Sequence, residues 1–480
     1  MKLKSLLNNV DCQIFGNPDV EIANIAFDSR KVGEGTCFVA QVGVHVDGHQ
    51  YIEPSIAAGA KAIVCQALPQ HQQPGVCYLL TPNSDIALGQ LASNYYGNPS
   101  SKLKLIGITG TNGKTTTVTL LHNMFRMLGH HVGLLSTIVN KIDDEEFPAT
   151  HTTPDALALN SLLAQMVERG CDYAFMEVSS HSVVQNRIAG LTFAGGIFSN
   201  ITHDHLDFHK TMANYIQAKK GFFDQLPKGA FALTNRDDRN GMVMVQNTAA
   251  KVSTYSLQGM ADFRCKLIEN TFQGLHLEIN GNEVWAQLVG RFNAYNLMAI
   301  YSTAVLCGTD PLEALRILSM LKAAEGRFQY VNGRGITAIV DYAHTPDALQ
   351  NVISTINDIR TDSQRLITVV GCGGDRDPFK RPEMAQIAAK GSSKVILTSD
   401  NPRTENPAKI IDAMEAGLTA EQKSQTLRID DRRQAIKTAV MIAQEGDIVL
   451  VAGKGHEKYQ EINGVRHHFD DREELQQALA

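Results

Sequence analysis

The chain's clearest chemical motif is a glycine-rich segment, residues 107–116, that reads Gly-Ile-Thr-Gly-Thr-Asn-Gly-Lys-Thr-Thr. It lies between an apolar run and a stretch whose apolar residues recur at spacings of three and four, which predicts a strand, a turn and a helix. The backbone N–H groups of such a turn can hold nucleotide phosphates, with Lys114 on the terminal phosphates and the Thr115 hydroxyl suited to Mg²⁺. The glycine spacing departs from the standard G-x-x-x-x-G-K-T pattern. An ordinary strand-to-helix turn is the alternative, but Gly-Lys-Thr at this place favours a phosphate site.

Two further polar clusters each follow a predicted strand. Glu177 lies in the apolar run 173–178, and residues 200–209 read Asn-Ile-Thr-His-Asp-His-Leu-Asp-Phe-His after another run. The carboxyl ends of parallel strands are where ligands bind in such sheets, and a carboxylate there can hold a hard cation. Because the second cluster contains no cysteine, we interpret it as a polar active-site loop rather than a zinc site.

The last third of the chain carries its own candidates. Residues 399–405 read Ser-Asp-Asn-Pro-Arg-Thr-Glu and follow the apolar run 394–398, which places them at the ligand edge of another sheet. Residues 371–377 form a glycine turn, but without a complete G-x-G-x-x-G they do not indicate a dinucleotide site. Upstream, Lys219 and Lys220 lie on a predicted helix, and their spacing alone predicts a solvated pair.

Strands that alternate with helices must position these residues. We predict strands at 37–42, 62–65, 103–108, 173–178, 196–201, 230–234, 336–340, 365–370, 394–398 and 447–451. Such alternation indicates right-handed crossovers and largely parallel sheets, so the predicted fold class is α/β. A length of 480 residues suggests about three domains, with boundaries at the turn cluster 97–101 and near 328–333.

Composition narrows the functional classes. The net charge of -6 gives no overall attraction for nucleic acid or anionic membranes. No stretch approaches the roughly 20 apolar residues of a membrane span, and the N-terminus lacks the apolar run of a signal peptide. The eight cysteines show no paired metal-ligand spacing, which favours reduced thiols in a cytoplasmic protein.

Taken together, the phosphate loop, the segment 200–209 and the segment 399–405 resemble the Mur ligase family, and the match runs along the whole chain in order. The loop by itself also resembles that of the folylpolyglutamate synthases. The resemblance implies a uridine-binding α/β domain at 1–98, a central P-loop ATPase-like domain with a mostly parallel sheet at 99–329, and a Rossmann-like, doubly wound, amino-acid-binding domain at 330–480. We expect a monomer.

The function that this resemblance implies is ATP-dependent amide formation in cytoplasmic peptidoglycan precursor synthesis, and hence a part in cell shape and division. ATP would phosphorylate the D-glutamyl γ-carboxylate of UDP-N-acetylmuramoyl-L-alanyl-D-glutamate, and the amine of meso-diaminopimelate would attack the acyl phosphate. Residues 400–403 match the tetrapeptide with which diaminopimelate-adding members hold the far carboxylate, a group that lysine lacks. The alternatives are a lysine-adding Mur ligase, a folylpolyglutamate synthase and a regulatory nucleotide switch.

The resemblance also assigns individual residues. The catalytic residues would be Lys114, Glu177, His205 and Lys219. The ATP-binding residues would be Gly110, Thr111, Asn112, Gly113, Lys114, Thr115, Thr116, Asn293, Arg327, Asp341 and His344. The contacts of the UDP-N-acetylmuramoyl-dipeptide would be Phe27, Ser29, Val44, His45, Val46, His151, Thr152, Thr153, Ser179, Gln185 and Arg187. The diaminopimelate contacts would be Arg376, Asp400, Asn401, Pro402, Arg403, Gly453 and Glu457. Two Mg²⁺ ions would be held by Thr115 with Glu177 and by His205 with Lys219, the lysine being carbamylated by CO₂.

Overall fold

The computed structural model describes residues 1–43, 46–149, 151–202, 204 and 206–480. The first sheet has the order β1-β5-β4-β3-β2 and is parallel except for β1. Its strands are β1 Gln13–Phe15, β2 Asn24–Ala26, β3 Thr36–Val39, β4 Ala62–Cys65 and β5 Cys77–Leu80, with helices α1 Leu3–Leu6, α2 Ile52–Ala57 and α3 Ser84–Tyr95. Short 3₁₀ turns lie at Ser29–Lys31, Gly48–Tyr51 and Pro99–Ser101. The central strands of this sheet are buried, as their continuous apolar runs require.

The second sheet is the largest and has the order β16-β15-β14-β13-β12-β11-β6-β10-β7-β8-β9. Its strands are β6 Lys104–Thr109, β7 Val132–Leu135, β8 Val139–Ile142, β9 Glu145–Pro148, β10 Tyr173–Glu177, β11 Gly195–Phe198, β12 Phe231–Asn235, β13 Lys251–Ser256, β14 Phe263–Thr271, β15 Gly274–Ile279 and β16 Asn282–Ala286. Its helices are α4 Lys114–Met127, α5 Ala156–Glu168, α6 Ser180–Val184, α7 Leu206–His209, α8 Met212–Asp224, α9 Gly241–Val245, α10 Arg291–Leu306 and α11 Pro311–Leu318. The centre of the sheet is parallel, whereas β8, β9, β15 and β16 extend its two edges with antiparallel pairs.

The third sheet has the order β17-β18-β22-β19-β20-β21, with β17 antiparallel to five parallel strands. Its strands are β17 Gln329–Gly333, β18 Ile336–Asp341, β19 Leu366–Val370, β20 Lys394–Leu397, β21 Thr426–Arg428 and β22 Ile448–Ala452, and β23 Tyr459–Ile462 pairs with β24 Val465–His468 in a separate hairpin. Its helices are α12 Pro346–Ile359, α13 Lys380–Gly391, α14 Pro407–Glu415, α15 Ala420–Ser424, α16 Arg432–Ile442 and α17 Asp471–Leu479.

Helices cover both faces of the second and third sheets. In the second, α4 and α10 pack on one face and α5 and α8 on the other. In the third, α12, α13 and α14 lie opposite α16 and α17. Burial on both faces explains why these strands are continuous apolar runs, and the architecture confirms the predicted α/β fold class.

Several predicted strands end elsewhere than expected. The strand expected at 196–201 ends at Phe198. The Ser199 N–H still bonds Thr109 O at 3.1 Å, but the Ser199 hydroxyl and the Asn200 side chain bond Asn112 of the glycine-rich loop. The strand expected at 37–42 ends at Val39. The segment 328–333, where we expected a domain boundary, contains β17 and belongs to the third sheet. Among the described residues, no helix is both long and apolar enough to cross a bilayer.

Candidate active site

The glycine-rich loop joins β6 to α4 and is held by the residues that follow β11. The Thr111 N–H donates to Asn200 O at 2.8 Å, and the Asn112 N–H donates to Asn200 Oδ1 at 2.9 Å. Gly113, at φ +86°, caps α4, and a Cβ there would lie 2.4 Å from Asn296 Oδ1. A side chain at this position would meet both strain and a clash. The loop therefore presents its remaining N–H groups at the start of a helix, which is the geometry of a phosphate site.

Lys114 folds back over this loop. Its Nζ donates to Gly110 O at 3.0 Å and to Thr111 O at 2.9 Å. Burial lowers the pKa of Lys114, while the charges of Glu177 and Asp204 raise it and that of Arg327 lowers it. Among the described residues, the hydrogen-bond partners of this ammonium are two carbonyl oxygens, so an incoming phosphate would be a stronger partner.

Glu177 is the centre of a buried network at the end of β10. The side chain is 1% exposed. Its Oε1 accepts from Thr115 Oγ1 at 2.9 Å and from the Thr137 N–H at 2.8 Å, and Oε2 accepts from Thr137 Oγ1 at 3.1 Å. Thr137 was not among the residues predicted from the sequence. Its signal was a polar residue just past the apolar strand β7, at the same sheet edge as Glu177.

Lys219 is buried beside the loop rather than solvated. It is 1% exposed, its Nζ donates to Gly110 O at 2.8 Å, and it lies 4.5 Å from the centre of the Tyr215 ring. Burial and the charge of Lys114 hold the pKa of Lys219 well below its ordinary value, although Asp204 opposes them. Lys220 is 4% exposed and pairs with Asp224 at 2.6 Å. The prediction of a solvated lysine pair, made from spacing alone, is wrong, because α8 turns both side chains inward.

Asp204, from the segment 200–209, lies close enough to Lys219 for its charge to act on the lysine. His205 lies outside the described residues, so its predicted metal role stays a prediction. His209 follows it at the i, i+4 spacing of a helical ligand pair, but His209 Nε2 bonds Ser180 Oγ at 2.8 Å. Thr111 Oγ1 accepts from the Thr202 N–H at 3.0 Å, so this segment and the glycine-rich loop are joined.

Several residues that are predicted to contact the UDP-linked dipeptide lie next to the backbone of Glu177. Thr153 Oγ1 donates to Glu177 O at 2.8 Å and accepts from the Ser179 N–H at 3.2 Å, and Arg187 Nη1 donates to Thr153 O at 2.8 Å. Thr152 Oγ1 bonds Thr137 Oγ1 at 3.1 Å. His151 is exposed on the same segment, and Gln185 follows the short helix α6.

The N-terminal candidates are placed separately from this group. Phe27 packs against the core of the first sheet, Ser29 begins a 3₁₀ turn, and Val46 is 49% exposed. Val44 and His45 lie outside the described residues. Ala156 and Leu157 of α5 also pack in that first core, so the segment carrying Thr153 connects the two sheets.

An asparagine pair on α10 reaches the glycine-rich loop. Asn293 Nδ2 donates to Val289 O at 2.8 Å, and its Oδ1 accepts from Asn296 Nδ2 at 3.0 Å. Asn296, rather than the predicted Asn293, is the residue next to Gly113. Asn293 thus positions Asn296, and the N-x-x-N spacing on one helix face was its sequence signal.

The third sheet adds an aromatic and cationic cluster at the ends of β18 and β22. The Arg327 guanidinium lies 4.7 Å from the centre of the Tyr342 ring, which also contacts the rings of His344 and His456 at 4.5 and 4.9 Å. Arg327 Nε and His456 Nδ1 are buried without a partner among the described residues. Burial lowers the pKa of His456 to about 3, so this ring is neutral at pH 7, whereas His344 is exposed to solvent. Sequence reasoning missed Tyr342 and His456.

Asp341 supports this cluster at the end of β18. It is 6% exposed, and its Oδ2 accepts from the Phe328 N–H at 2.7 Å. Burial raises the pKa of Asp341 to about 6 although Arg327 opposes the shift. A hydrogen bond joins the phosphate loop to α12 beside the third sheet: Asn112 Nδ2 donates to Asp347 Oδ2 at 2.5 Å.

The tetrapeptide at 400–403 meets the turn after β22. Asn401 Nδ2 donates to Glu457 Oε2 at 2.7 Å, and buried Lys454 contacts Asn401 Oδ1 at 3.1 Å and Glu457 Oε2 at 3.3 Å. Gly453 has φ +118°, and a Cβ there would lie 2.6 Å from Asp400 Oδ2. Burial and the charge of Asp400 raise the pKa of Glu457. Lys454 was not among the predicted residues.

Arg403 is half-buried next to these residues. Its Nη1 donates to Gly374 O at 2.7 Å, and the residue is held at φ +52° by backbone bonds to Glu461 and Asn463. Among the described residues, no carboxylate lies within 4 Å of its guanidinium nitrogens. Arg376 is exposed on the facing glycine turn, and buried Pro402 packs beneath Gly374. The site therefore contains the carboxylates of Asp400 and Glu457, with the guanidinium groups of Arg403 and Arg376 closer to solvent.

Comparison with known proteins fits this geometry. Three family models match: the Mur ligase family, catalytic domain at residues 21–96, the Mur ligase middle domain at 108–304, and the Mur ligase, glutamate ligase domain at 326–455. The UDP-N-acetylmuramoyl-L-alanyl-D-glutamate--2,6-diaminopimelate ligase of Parabacteroides distasonis is 57% identical, covering 100% of this chain and 99% of its own.

Solved structures agree on the fold. A structure of a UDP-N-acetylmuramoyl-L-alanyl-D-glutamate--2,6-diaminopimelate ligase has a TM-score of 0.72 at 33% identity, covering 100% of this chain and 98% of its own. A folylpolyglutamate synthase from Thermotoga maritima covers 77% of this chain and 90% of its own, with a TM-score of 0.59 at 16% identity, and so shares only the fold. On the full-length identity and on the three matching models, the chain belongs to the Mur ligase family.

Proposed function

We propose that this protein joins meso-diaminopimelate to UDP-N-acetylmuramoyl-L-alanyl-D-glutamate at the expense of ATP. The observation that carries the proposal is the site of Arg403, a guanidinium without a carboxylate partner among the described residues, placed beside Asp400, Asn401 and Glu457. The far end of diaminopimelate carries one carboxylate and one ammonium. Arg403 would bind the carboxylate, and the acidic side chains of Asp400 and Glu457 would bind the ammonium.

The same geometry disfavours lysine as the substrate. A lysine side chain ends in an ammonium alone, so it would leave Arg403 unpaired and place a second cation beside it. Leaving one member of a buried charged pair without its partner costs on the order of 2–5 kcal/mol, which is enough to decide between the two amino acids. We therefore propose that Arg403 determines which of the two amino acids is the substrate.

The glycine-rich loop and Arg327 account for activation of the carboxylate. ATP on the loop transfers its γ-phosphoryl group to the D-glutamyl γ-carboxylate, which gives an acyl phosphate and ADP. The amine of diaminopimelate then attacks the acyl carbon, and phosphate leaves as the amide forms with loss of one proton. Lys114 and Arg327 bind phosphate oxygens, and catalysis is mainly positioning and charge stabilisation.

The residues around Glu177 fit a hard cation. The Thr115 hydroxyl and the Glu177 carboxylate are oxygen donors 2.9 Å apart beside the phosphate loop, and oxygen is the ligand type that Mg²⁺ prefers. Mg²⁺ held there would offset the repulsion between the γ-phosphate and the substrate carboxylate. Thr137 fixes both oxygens of Glu177 and so sets the direction in which the carboxylate faces the loop.

Lys219 fits the second metal only after modification. A protonated amine cannot ligate Mg²⁺, but its lowered pKa supplies the neutral amine that adds to CO₂ with loss of a proton, giving a carbamate anion. We propose that Lys219 is carbamylated and that it shares an ion with His205. A carbamate signal in ¹³C NMR after exposure to ¹³C-bicarbonate, absent in Lys219→Met, would support this, and equal spectra would contradict it.

The three substrates map onto three proposed domains, 1–98 for the uridine nucleotide, 99–329 for ATP and 330–480 for diaminopimelate. Because one chain supplies the residues for all three substrates, we propose that it acts as a monomer. All eight cysteines are free thiols, which supports a reducing compartment such as the cytoplasm.

The test is ADP release with ATP and UDP-N-acetylmuramoyl-L-alanyl-D-glutamate, comparing meso-diaminopimelate, lysine and no amino acid. Turnover with diaminopimelate alone is expected, and Arg403→Ala should abolish the preference. Equal turnover with lysine would contradict the role of Arg403. Fast ADP release without either co-substrate would favour a regulatory nucleotide switch instead.

A further inference from the structure

We propose that the buried pair of Arg432 and Asp471 positions the two turns that bind the amino acid, an inference that rests on the proposed function. Both side chains are 0% exposed. Arg432 Nε and Nη2 donate to Asp471 Oδ1 and Oδ2 at 2.8 and 2.7 Å, a two-bond arrangement that fixes the guanidinium plane. Neither residue touches the site directly, so both are positioning residues.

The same guanidinium contacts the backbone of both turns. Arg432 Nη2 donates to Ala452 O at 3.0 Å, and Nη1 lies 3.5 Å from Ser399 O. Ala452 directly precedes Gly453, and Ser399 directly precedes Asp400. One side chain thus sets the spacing between the end of β22 and the turn after β20, where Asp400 and Glu457 must converge on one ammonium.

Local stability does not explain the pair. Arg432 is the first residue of α16, where the helix dipole disfavours a cation. Burying an ion pair also removes two charges from water, and replacement by apolar residues is often neutral for stability. Burial by itself lowers the pKa of Arg432, but Asp471, Asp400 and Glu457 together raise it. The cation therefore lies within electrostatic reach of the acidic side chains that we assign to the substrate.

The pair also connects the last helix of the chain to the site. Asp471 is in the first turn of α17, and a second ion pair, between Arg433 Nη2 and Glu474 Oε1 at 2.9 Å, joins the same two helices. We therefore expect α17 to be required for amino-acid binding although it contributes no proposed substrate contact.

The test replaces both charges at once, with Arg432→Met and Asp471→Leu, so that no unpaired charge is buried. The matched control is Arg365→Met with Asp447→Leu. Those two residues pair at 2.5 Å, and Arg365 also donates to a carbonyl, Ile442 O at 3.1 Å. Arg365 is 40% exposed, and the pair lies at the amino ends of β19 and β22, whereas the two amino-acid turns follow the carboxyl ends of β20 and β22. Thermal unfolding of both variants shows how much stability each pair contributes.

For the Arg432 and Asp471 variant we expect the KM for diaminopimelate to rise roughly tenfold or more, with the preference over lysine reduced and the KM for ATP nearly unchanged. The control should keep the wild-type KM values and preference even if its melting temperature falls. An unchanged KM for diaminopimelate in the first variant, or an equal rise in the control, would overturn the inference. If the double variant does not fold, the same KM comparison is made with Arg432→Lys. This variant keeps the charge but cannot form the two hydrogen bonds to Asp471. If the wild-type protein shows no turnover that depends on diaminopimelate, the proposed function fails instead.

Discussion

Gly113 gives the sharpest test of the phosphate loop, because the chain offers a matched control at the other end of the same helix. Gly113 has φ +86° and Gly129 has φ +88°, so an alanine meets the same backbone strain at either place, roughly 1–2 kcal/mol. The surroundings differ. A Cβ on Gly113 would lie 2.4 Å from Asn296 Oδ1, whereas one on Gly129 meets no described atom within 4 Å.

The magnitude follows from that contact. Relieving it requires the loop, α10 or the Asn296 side chain to move by roughly 1 Å, because ordinary contacts of this kind begin near 3.4 Å. The Asn296 side chain is buried and bonded to Asn293, so its movement also disturbs the contacts of the loop. Such a shift is enough to break a charge-assisted hydrogen bond from a loop N–H to phosphate, worth about 1.5–3 kcal/mol. We therefore expect Gly113→Ala to weaken ADP binding roughly ten- to a hundredfold, and Gly129→Ala to lower only the melting temperature.

Titration calorimetry with ADP and Mg²⁺, together with thermal unfolding, measures both effects. Adding Asn296→Ala to Gly113→Ala removes the obstructing oxygen, so the two changes should be strongly non-additive in ADP affinity. Equal ADP affinity for the Gly113→Ala and Gly129→Ala variants would refute the role assigned to this contact.

Two further predictions concern the carboxylates. Thr137→Val removes the hydroxyl bond to Glu177 Oε2 while keeping the backbone N–H bond, so kcat/KM should fall about tenfold at nearly unchanged stability, and an unchanged kcat/KM would contradict the Thr137 role. Burial raises the pKa of Asp341 to about 6, so the folded protein keeps a proton that the unfolded chain loses near pH 4. The contribution of Asp341 to stability is thus present below about pH 4 and is lost as the pH rises through 6. Asp341→Asn should gain unfolding free energy relative to the wild type between these values, and a pH-independent difference would contradict the assignment.

The sequence was most informative where function depends on local order along the chain. The phosphate loop, Glu177 and the tetrapeptide at 400–403 each follow an apolar strand, and the carboxyl ends of parallel strands share one edge. That rule was sufficient to predict the α/β class and to place these motifs at the carboxyl ends of their strands. The motif residues needed no long-range information.

The features that could not be predicted from the sequence depend on contacts between segments far apart in the chain. Thr137 reaches Glu177 from another strand, Asn296 meets Gly113 from another helix, and the inward direction of Lys219 depends on where α8 packs. The antiparallel strands β8, β9, β15 and β16 were not predicted, because we identified strands by continuous apolar runs. In β8 and β15 buried and more exposed residues alternate instead. Arg432 and Asp471 lie 39 positions apart, and neither has a motif around it.

The most direct measurement of the central claim is the product formed in competition. Equal concentrations of meso-diaminopimelate and lysine are supplied together with ATP, Mg²⁺ and UDP-N-acetylmuramoyl-L-alanyl-D-glutamate, and the nucleotide product is identified by mass spectrometry. The structure predicts that the product carries diaminopimelate almost exclusively, and that Arg403→Ala loses this selectivity. A product that carries lysine, or none that carries either amino acid, would contradict it.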